Sequence, residues 1–246
     1  VPLLVASHLG IKTVIQEQNS FPGITTRYLS SKVDTIFTAY NEASNHLKKK
    51  IVLSGNPIRK DIKKMDKNKA KRKFNCNESL PVLAILGGSQ GSVPLNSHFQ
   101  KECEKYTKSG IQILWQCGKK NYSDLNKMIE NDNVHLIPFS DDMSALYSAA
   151  DLIVSRSGAL ALSEMTFMGK AMILVPFPHS AGDHQYKNAL EFSKNGAAIL
   201  LPQIKLASGY MEEIVLDLFK NPYKIKNMEE KSIDMAAPNA TDCIIS

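Results

Sequence analysis

Leu83-Ala84-Ile85-Leu86-Gly87-Gly88-Ser89-Gln90-Gly91 carries an apolar run straight into a turn with three glycines. A helical pattern follows from about Val93. Glycine lets a backbone approach a ligand closely and adopt positive φ. A helix start offers unpaired N–H groups and the positive end of its dipole to phosphate. Ser89 adds a hydroxyl donor. No Lys-Ser/Thr pair follows, so the loop is not a Walker A motif, and it is not G-x-G-x-x-G. Glycine-rich strand-to-helix turns also serve packing alone, so both readings stay open at this point.

Outward from this turn, short apolar runs alternate with amphipathic ones. Strands are predicted over 13–16, 35–39, 51–53, 82–86, 111–116, 134–138, 152–155, 171–175 and 197–200. Helical patterns lie between them, at 95–108, 122–131, 143–149, 160–168 and 185–195. The strand candidates lack polar alternation, as expected for strands covered on both faces. This order predicts an α/β fold with a doubly wound parallel sheet. Residues 1–58 read as the trailing part of one such domain, too small to close alone. Residues 59–225 read as a complete second one, and 226–246 as a C-terminal helix returning toward the first part. The chain opens on Val1-Pro2-Leu3-Leu4-Val5-Ala6, which reads as the inside of an element, so a longer parent chain is expected.

The composition is that of an ordinary globular protein, with 43% hydrophobic and 22% charged residues. No apolar run reaches about 18 residues, so no spanning helix is expected. Cys76, Cys103, Cys117 and Cys243 form no CxxC pair, which argues against a zinc site or a disulfide framework. The net charge of +6 owes much to Lys48-Lys49-Lys50 and to the run from Arg59 to Lys73. That run reads as a solvated helix face plus linker, or as a patch for anionic surfaces. It lacks the interleaved aromatics that stack nucleic-acid bases. His8, His46, His98 and His135 have no evident partner.

Three further segments follow predicted strands. Arg156 to Glu164 opens a helix, with Ser157 as its predicted N-cap. Glu164 is placed where a carboxylate accepts hydrogen bonds from a ribose diol, or where an ordinary surface Glu would sit. Pro176 to Gln185 precedes another helix. Phe139-Ser140-Asp141-Asp142-Met143 suits a capped first turn. Adjacent carboxylates on a helix point apart, so no metal site is expected there. These loops lie at the carboxyl ends of strands, where open α/β sheets bind ligands. Two N-terminal phrases remain, Gln16-Glu17-Gln18-Asn19 and Gly55-Asn56-Pro57-Ile58-Arg59.

Taken in order, these phrases, with Asn96, Ala150-Asp151 and Asn188-Ala189, resemble the MurG family of N-acetylglucosaminyl transferases (glycosyltransferase family 28). The resemblance covers about Val1 to Ala198, more loosely to the end. It implies a GT-B fold, in which two Rossmann-like domains face each other across a cleft. It implies transfer from UDP-GlcNAc to the undecaprenyl-linked acceptor lipid I, giving lipid II, with inversion and without a metal or other cofactor. It also implies peripheral contact with the cytoplasmic side of the cell membrane, and no nucleic-acid partner. Matching positions imply a donor site of Asn19, Arg59, Ser89, Ser140, Ala159, Leu160, Ala161, Leu162, Ser163, Glu164 and Gln185. Gly87, Gly88, Gln90 and Gly91 would form the supporting phosphate loop. Glu164 would hold ribose, the Ser140 backbone uracil, and Gln185 the sugar. Gln16 stands where some members have His, and Ala161 where a Thr is common. The family's first glycine-rich loop, with the His near the reaction centre, has no counterpart here, so the catalytic residues are expected outside these 246 residues. Two alternatives are a GT-B enzyme with another lipid acceptor, and a non-catalytic nucleotide-sugar-binding module.

Overall fold

A computed structural model describes residues 2–49 and 51–246. The strands are β1 (Val14–Glu17), β2 (Thr35–Thr38), β3 (Ile51–Leu53), β4 (Val82–Leu86), β5 (Gln112–Gln116), β6 (Val134–Ile137), β7 (Leu152–Ser155), β8 (Ala171–Leu174) and β9 (Ala198–Leu200). The helices are α1 (Pro2–His8), α2 (Ile24–Leu29), α3 (Lys67–Lys73), α4 (Val93–Lys108), α5 (Lys119–Met128), α6 (Met143–Ala149), α7 (Ala159–Phe167), α8 (His184–Lys194), α9 (Tyr210–Lys220), α10 (Pro222–Asp234) and α11 (Ala240–Ile245). The predicted elements 51–53, 82–86, 152–155 and 143–149 match these bounds, and the other predicted strands and helices differ by one to three residues at their ends, the frayed positions where hydrogen-bonding partners run out.

The strands form two parallel sheets. The small one has the order β1-β2-β3, and the large one β6-β5-β4-β7-β8-β9. The chain therefore starts the large sheet at its centre, moves outward to β6, and returns to β4's other side with β7. Leu86 pairs with Gln116 on one side and with Ser155 on the other. The loops after β4 and β7 thus leave adjacent strands toward opposite faces, which opens a crevice at their carboxyl ends.

Period-2 alternation divides β4 between two cores. Leu83 and Ile85 face one core, with Phe99, Trp115 and Val215. Val82, Ala84 and Leu86 face the other, with Leu146, Leu162, Met165 and Phe192. Every residue of β4, β5, β7 and β8 is buried, in keeping with the unalternating apolar runs. The small sheet carries only a short core of Leu29, Val33 and Ile36.

The basic run from Arg59 to Lys73 is not all solvated. Its helix α3 is capped by Asp66, which accepts from Lys69 N at 2.8 Å. Lys71 is nevertheless buried, and its Nζ donates to the carbonyls of Glu78 (2.9 Å) and Leu80 (2.6 Å). Its ammonium thus satisfies two loop carbonyls, that of Leu80 shared with Gln112 Nε2 at 3.1 Å. Ile62 and Ala70 belong to the second core. Lys50 and Val1 lie outside the described residues. The expected division at 225/226 falls inside α10. Just beyond α10, Ala237 lies against Gly55, where an added Cβ would be 2.1 Å from Ala237 Cβ.

Candidate functional site

The carboxyl ends of the large sheet border a cleft of about 860 Å³. Gly87, Gly88, Ser89, Gln90 and Gly91 form one wall; Leu160, Ala161 and Glu164 form another; Arg59 and Gln185 reach its rim. The glycine loop is held by contacts only glycine permits. Gly91 has φ +78°, and a Cβ there would sit 2.2 Å from the Cys117 carbonyl oxygen. Asn96 secures the helix behind it, donating to that same oxygen at 2.8 Å and accepting from Trp115 Nε1 at 3.1 Å. Pro94 falls in the first turn of α4, where its missing N–H is harmless.

The start of α7 opens into the same cleft. Its N-cap is Gly158, not the predicted Ser157. Ser157 is buried and donates instead to the Gln185 carbonyl at 2.8 Å. The first intrahelical bond runs from Leu162 N to Gly158 O. The N–H groups of Ala159, Leu160 and Ala161 are therefore left without helical partners, the feature that attracts anions to helix starts.

Helical phase divides the side chains of the expected site between the cleft and the interior. Consecutive helix residues rotate by about 100° and cannot all face one ligand. Leu160, Ala161 and Glu164 line the cleft, whereas Leu162 is fully buried in the core. Ser163 turns toward the small sheet's side, accepting from Asn56 Nδ2 at 3.1 Å and donating to Ala159 O. Ala159 lies under the helix start rather than in the lining. Asn19 also lies outside the lining; its Oδ1 accepts from Asn188 Nδ2 at 3.1 Å. The Ser140 N–H is not free, because it donates to Gln116 Oε1 at 3.0 Å.

Gln116 and Tyr147 line the cleft and carried no sequence signal. Gln116 ties two loops together, accepting from Ser140 and donating to Gly88 O at 3.4 Å. The Tyr147 hydroxyl donates to Glu164 Oε2 at 2.9 Å. Arg59 Nε lies 3.2 Å from Glu164 Oε1, so both carboxylate oxygens are engaged. Arg156 gathers three loops, donating to the carbonyls of Val175 (3.0 Å) and Pro176 (3.1 Å), and to Ser92 Oγ and Gln203 Oε1 (both 2.7 Å). Burial lowers its pKa from the usual arginine value. Gln185 accepts from Phe177 N at 3.0 Å. Asp142 caps α6, accepting from Ala145 N at 2.9 Å.

Two of the four histidines read as lacking partners, His98 and His135, have them. His98 Nε2 lies 3.4 Å from the Tyr106 hydroxyl, and His135 Nε2 lies 3.4 Å from Gln112 Oε1. Burial lowers the pKa of both rings. Among the described residues, no group of three or more His, Cys, Asp or Glu is placed to hold a metal ion. No described helix is long and apolar enough to cross a membrane.

Residues 82–244 match the C-terminal domain of glycosyltransferase family 28. The chain is 40% identical to the UDP-N-acetylglucosamine–N-acetylmuramyl-(pentapeptide) pyrophosphoryl-undecaprenol N-acetylglucosamine transferase of Flavobacterium psychrophilum, over 99% of this chain and 67% of that protein. The protein of that name from Cytophaga hutchinsonii is 38% identical, over 100% of this chain and 67% of its own length. The crystal structure of Acinetobacter baumannii MurG superposes with a TM-score of 0.81 at 26% identity, covering 99% of this chain and 68% of that one. The chain thus spans about two thirds of the length of these relatives. It belongs to the MurG family of glycosyltransferases, within glycosyltransferase family 28.

Proposed function

We propose that this chain carries the donor side of an N-acetylglucosaminyl transfer from UDP-GlcNAc to undecaprenyl-pyrophosphoryl-MurNAc-pentapeptide, the step from lipid I to lipid II. The observation that carries the reading is the single cleft on which the glycine loop, the start of α7 and Glu164 converge. The diphosphate sits between the amides of that loop, with Ser89, and the free N–H groups of residues 159–161. Glu164 accepts from the ribose, the loop of Phe139 and Ser140 borders the uracil, and Gln185 and Arg59 meet the sugar and phosphate at the rim.

In the reaction, the acceptor 4-hydroxyl oxygen bonds to the anomeric carbon from the face opposite UDP. The bond from that carbon to the diphosphate oxygen breaks, its electron pair leaves with UDP, and the proton of the attacking hydroxyl passes to a general base on the acceptor side. Fixed amide dipoles stabilise the charge that grows on the diphosphate. This reading assigns that charge to helix starts and amides rather than to a metal ion. Residues 1–58 belong to the acceptor side, residues 59–225 hold the donor, and the last segment links back to the first. A lipid-linked acceptor brings peripheral contact with the cytoplasmic face of a membrane.

The test is a transfer assay with labelled UDP-GlcNAc and the parent protein containing this chain. A lipid I analogue is expected to accept the label and diacylglycerol is not. Transfer to diacylglycerol alone would replace this acceptor with another.

A further inference from the structure

Tyr147 sits on α6 beneath the cleft, 1% exposed, with its ring packed in the second core. Its hydroxyl is its side chain's only polar atom, and the 2.9 Å bond to Glu164 Oε2 is the one side-chain hydrogen bond it makes among the described residues. Glu164 Oε1 meets Arg59 instead. These two ties differ in kind. The Arg59 side chain is 49% exposed and rides on the segment joining the two sheets. Tyr147 has no such freedom, since core packing fixes its ring. Burial and the neighbouring Glu164 charge raise the phenol's pKa well above its usual value, so it remains a donor throughout the neutral range. A buried neutral donor to a carboxylate makes a charge-assisted bond, stronger than a neutral one at the same distance.

We propose that Tyr147 is a positioning residue that fixes the Glu164 carboxylate through Oε2, leaving Oε1, the oxygen shared with Arg59, to receive a vicinal diol. The inference rests on the reading that Glu164 holds the ribose. An unrestrained glutamate has three rotatable bonds and must be ordered when a ligand arrives. One held from below is already set, and the ligand gains the affinity that ordering would remove. The specificity of the site for a ribose over a sugar lacking its hydroxyls is then set partly by a residue the nucleotide need not touch.

The test is calorimetric titration of the chain with UDP and with 2′,3′-dideoxyuridine diphosphate. The wild type is expected to favour UDP by on the order of tenfold or more, as for hydrogen bonds to a charged group. Tyr147→Phe is expected to lose most of that preference through weaker UDP binding, with dideoxy affinity unchanged. That unchanged affinity also reports an intact fold. Glu164→Gln is expected to lose the preference too, and the double variant to lose no more than Glu164→Gln alone. A full preference in Tyr147→Phe, or additive losses in the double variant, would overturn the positioning role while leaving Glu164 as the ribose ligand. Equal binding of both nucleotides by the wild type would remove the ribose reading itself, and the proposal with it.

Discussion

Asn188 and Ser20 are 168 positions apart and directly bonded, with Asn188 Oδ1 accepting from both Ser20 N (2.9 Å) and Ser20 Oγ (3.1 Å). The Asn188 amide nitrogen donates to Asn19 Oδ1 at 3.1 Å and to the Ser157 carbonyl at 3.3 Å. One fully buried side chain thus joins the segment after β1 to the loop that precedes α7. Asn188→Leu keeps the volume and leaves these groups unpaired, each a loss of about 1–3 kcal/mol. A total destabilisation of roughly 4 kcal/mol or more is expected, read as a lower urea midpoint with the slope unchanged. An unmoved midpoint would show that the junction adds nothing.

The glycine loop separates two effects of one substitution. Gly88 has φ +85° and nothing within 4 Å of an added Cβ, so Gly88→Ala meets only backbone strain, about 1 kcal/mol. Gly91 combines φ +78° with a Cβ position 2.2 Å from the Cys117 carbonyl oxygen. Gly91→Ala is therefore expected to destabilise by roughly 3 kcal/mol. Paired thermal melts decide it, and equal losses would contradict the packed geometry of this turn.

Arg156 holds the cleft's loops through two forked nitrogens, a pattern that a single ammonium cannot reproduce. Arg156→Lys keeps the charge and is expected to weaken UDP-GlcNAc binding by about tenfold, with a stability change of about 1 kcal/mol or less. Titration calorimetry beside a melt checks both. Undiminished affinity would mean that the loops hold their places without the guanidinium.

Lys170 gives a dependence on pH. Its amine donates to Ala150 O at 2.9 Å, and burial, opposed by Glu229 and Asp151, lowers its pKa from 10.5 to about 8. Below that value the amine is charged in both the folded and unfolded states, and the folded state bears the burial of the charge. Between about 8 and 10.5 the unfolded chain holds more protons, so this group's contribution to stability rises with pH across that window. The gain is at most about 3 kcal/mol. Lys170→Met is expected to abolish this rise relative to wild type in denaturation series from pH 7 to 10. Parallel curves would contradict it.

The sheet and the three loops that meet at its carboxyl edge were legible because buried parallel strands are continuous apolar runs and their turns are rich in Gly, Ser and Pro. Side-chain direction was not legible in the same way. Residues 159–164 look like one motif in the sequence, yet helical rotation sends Leu162 into the core and Ser163 toward Asn56. Tyr147 and Gln116 carry no distinguishing signal in the sequence, because an aromatic in an apolar helix and a polar strand end both pass for ordinary structure. Only packing brings their polar atoms to Glu164 and to Ser140 and Gly88. The burial of Lys71 is not legible in a run of like charges, because it depends on the carbonyls of Glu78 and Leu80 that meet its ammonium.

The central claim is that the crevice between the glycine loop and the start of α7 takes the donor's diphosphate. The most direct measurement is a ¹⁵N amide spectrum of this chain titrated with UDP-GlcNAc. The expected result is saturable shifts concentrated at Gly88, Ser89, Gly91, Leu160, Ala161 and Glu164. Absence of any shift at saturating nucleotide, or shifts centred instead on the separate cleft beside His98 and Glu212, would contradict it.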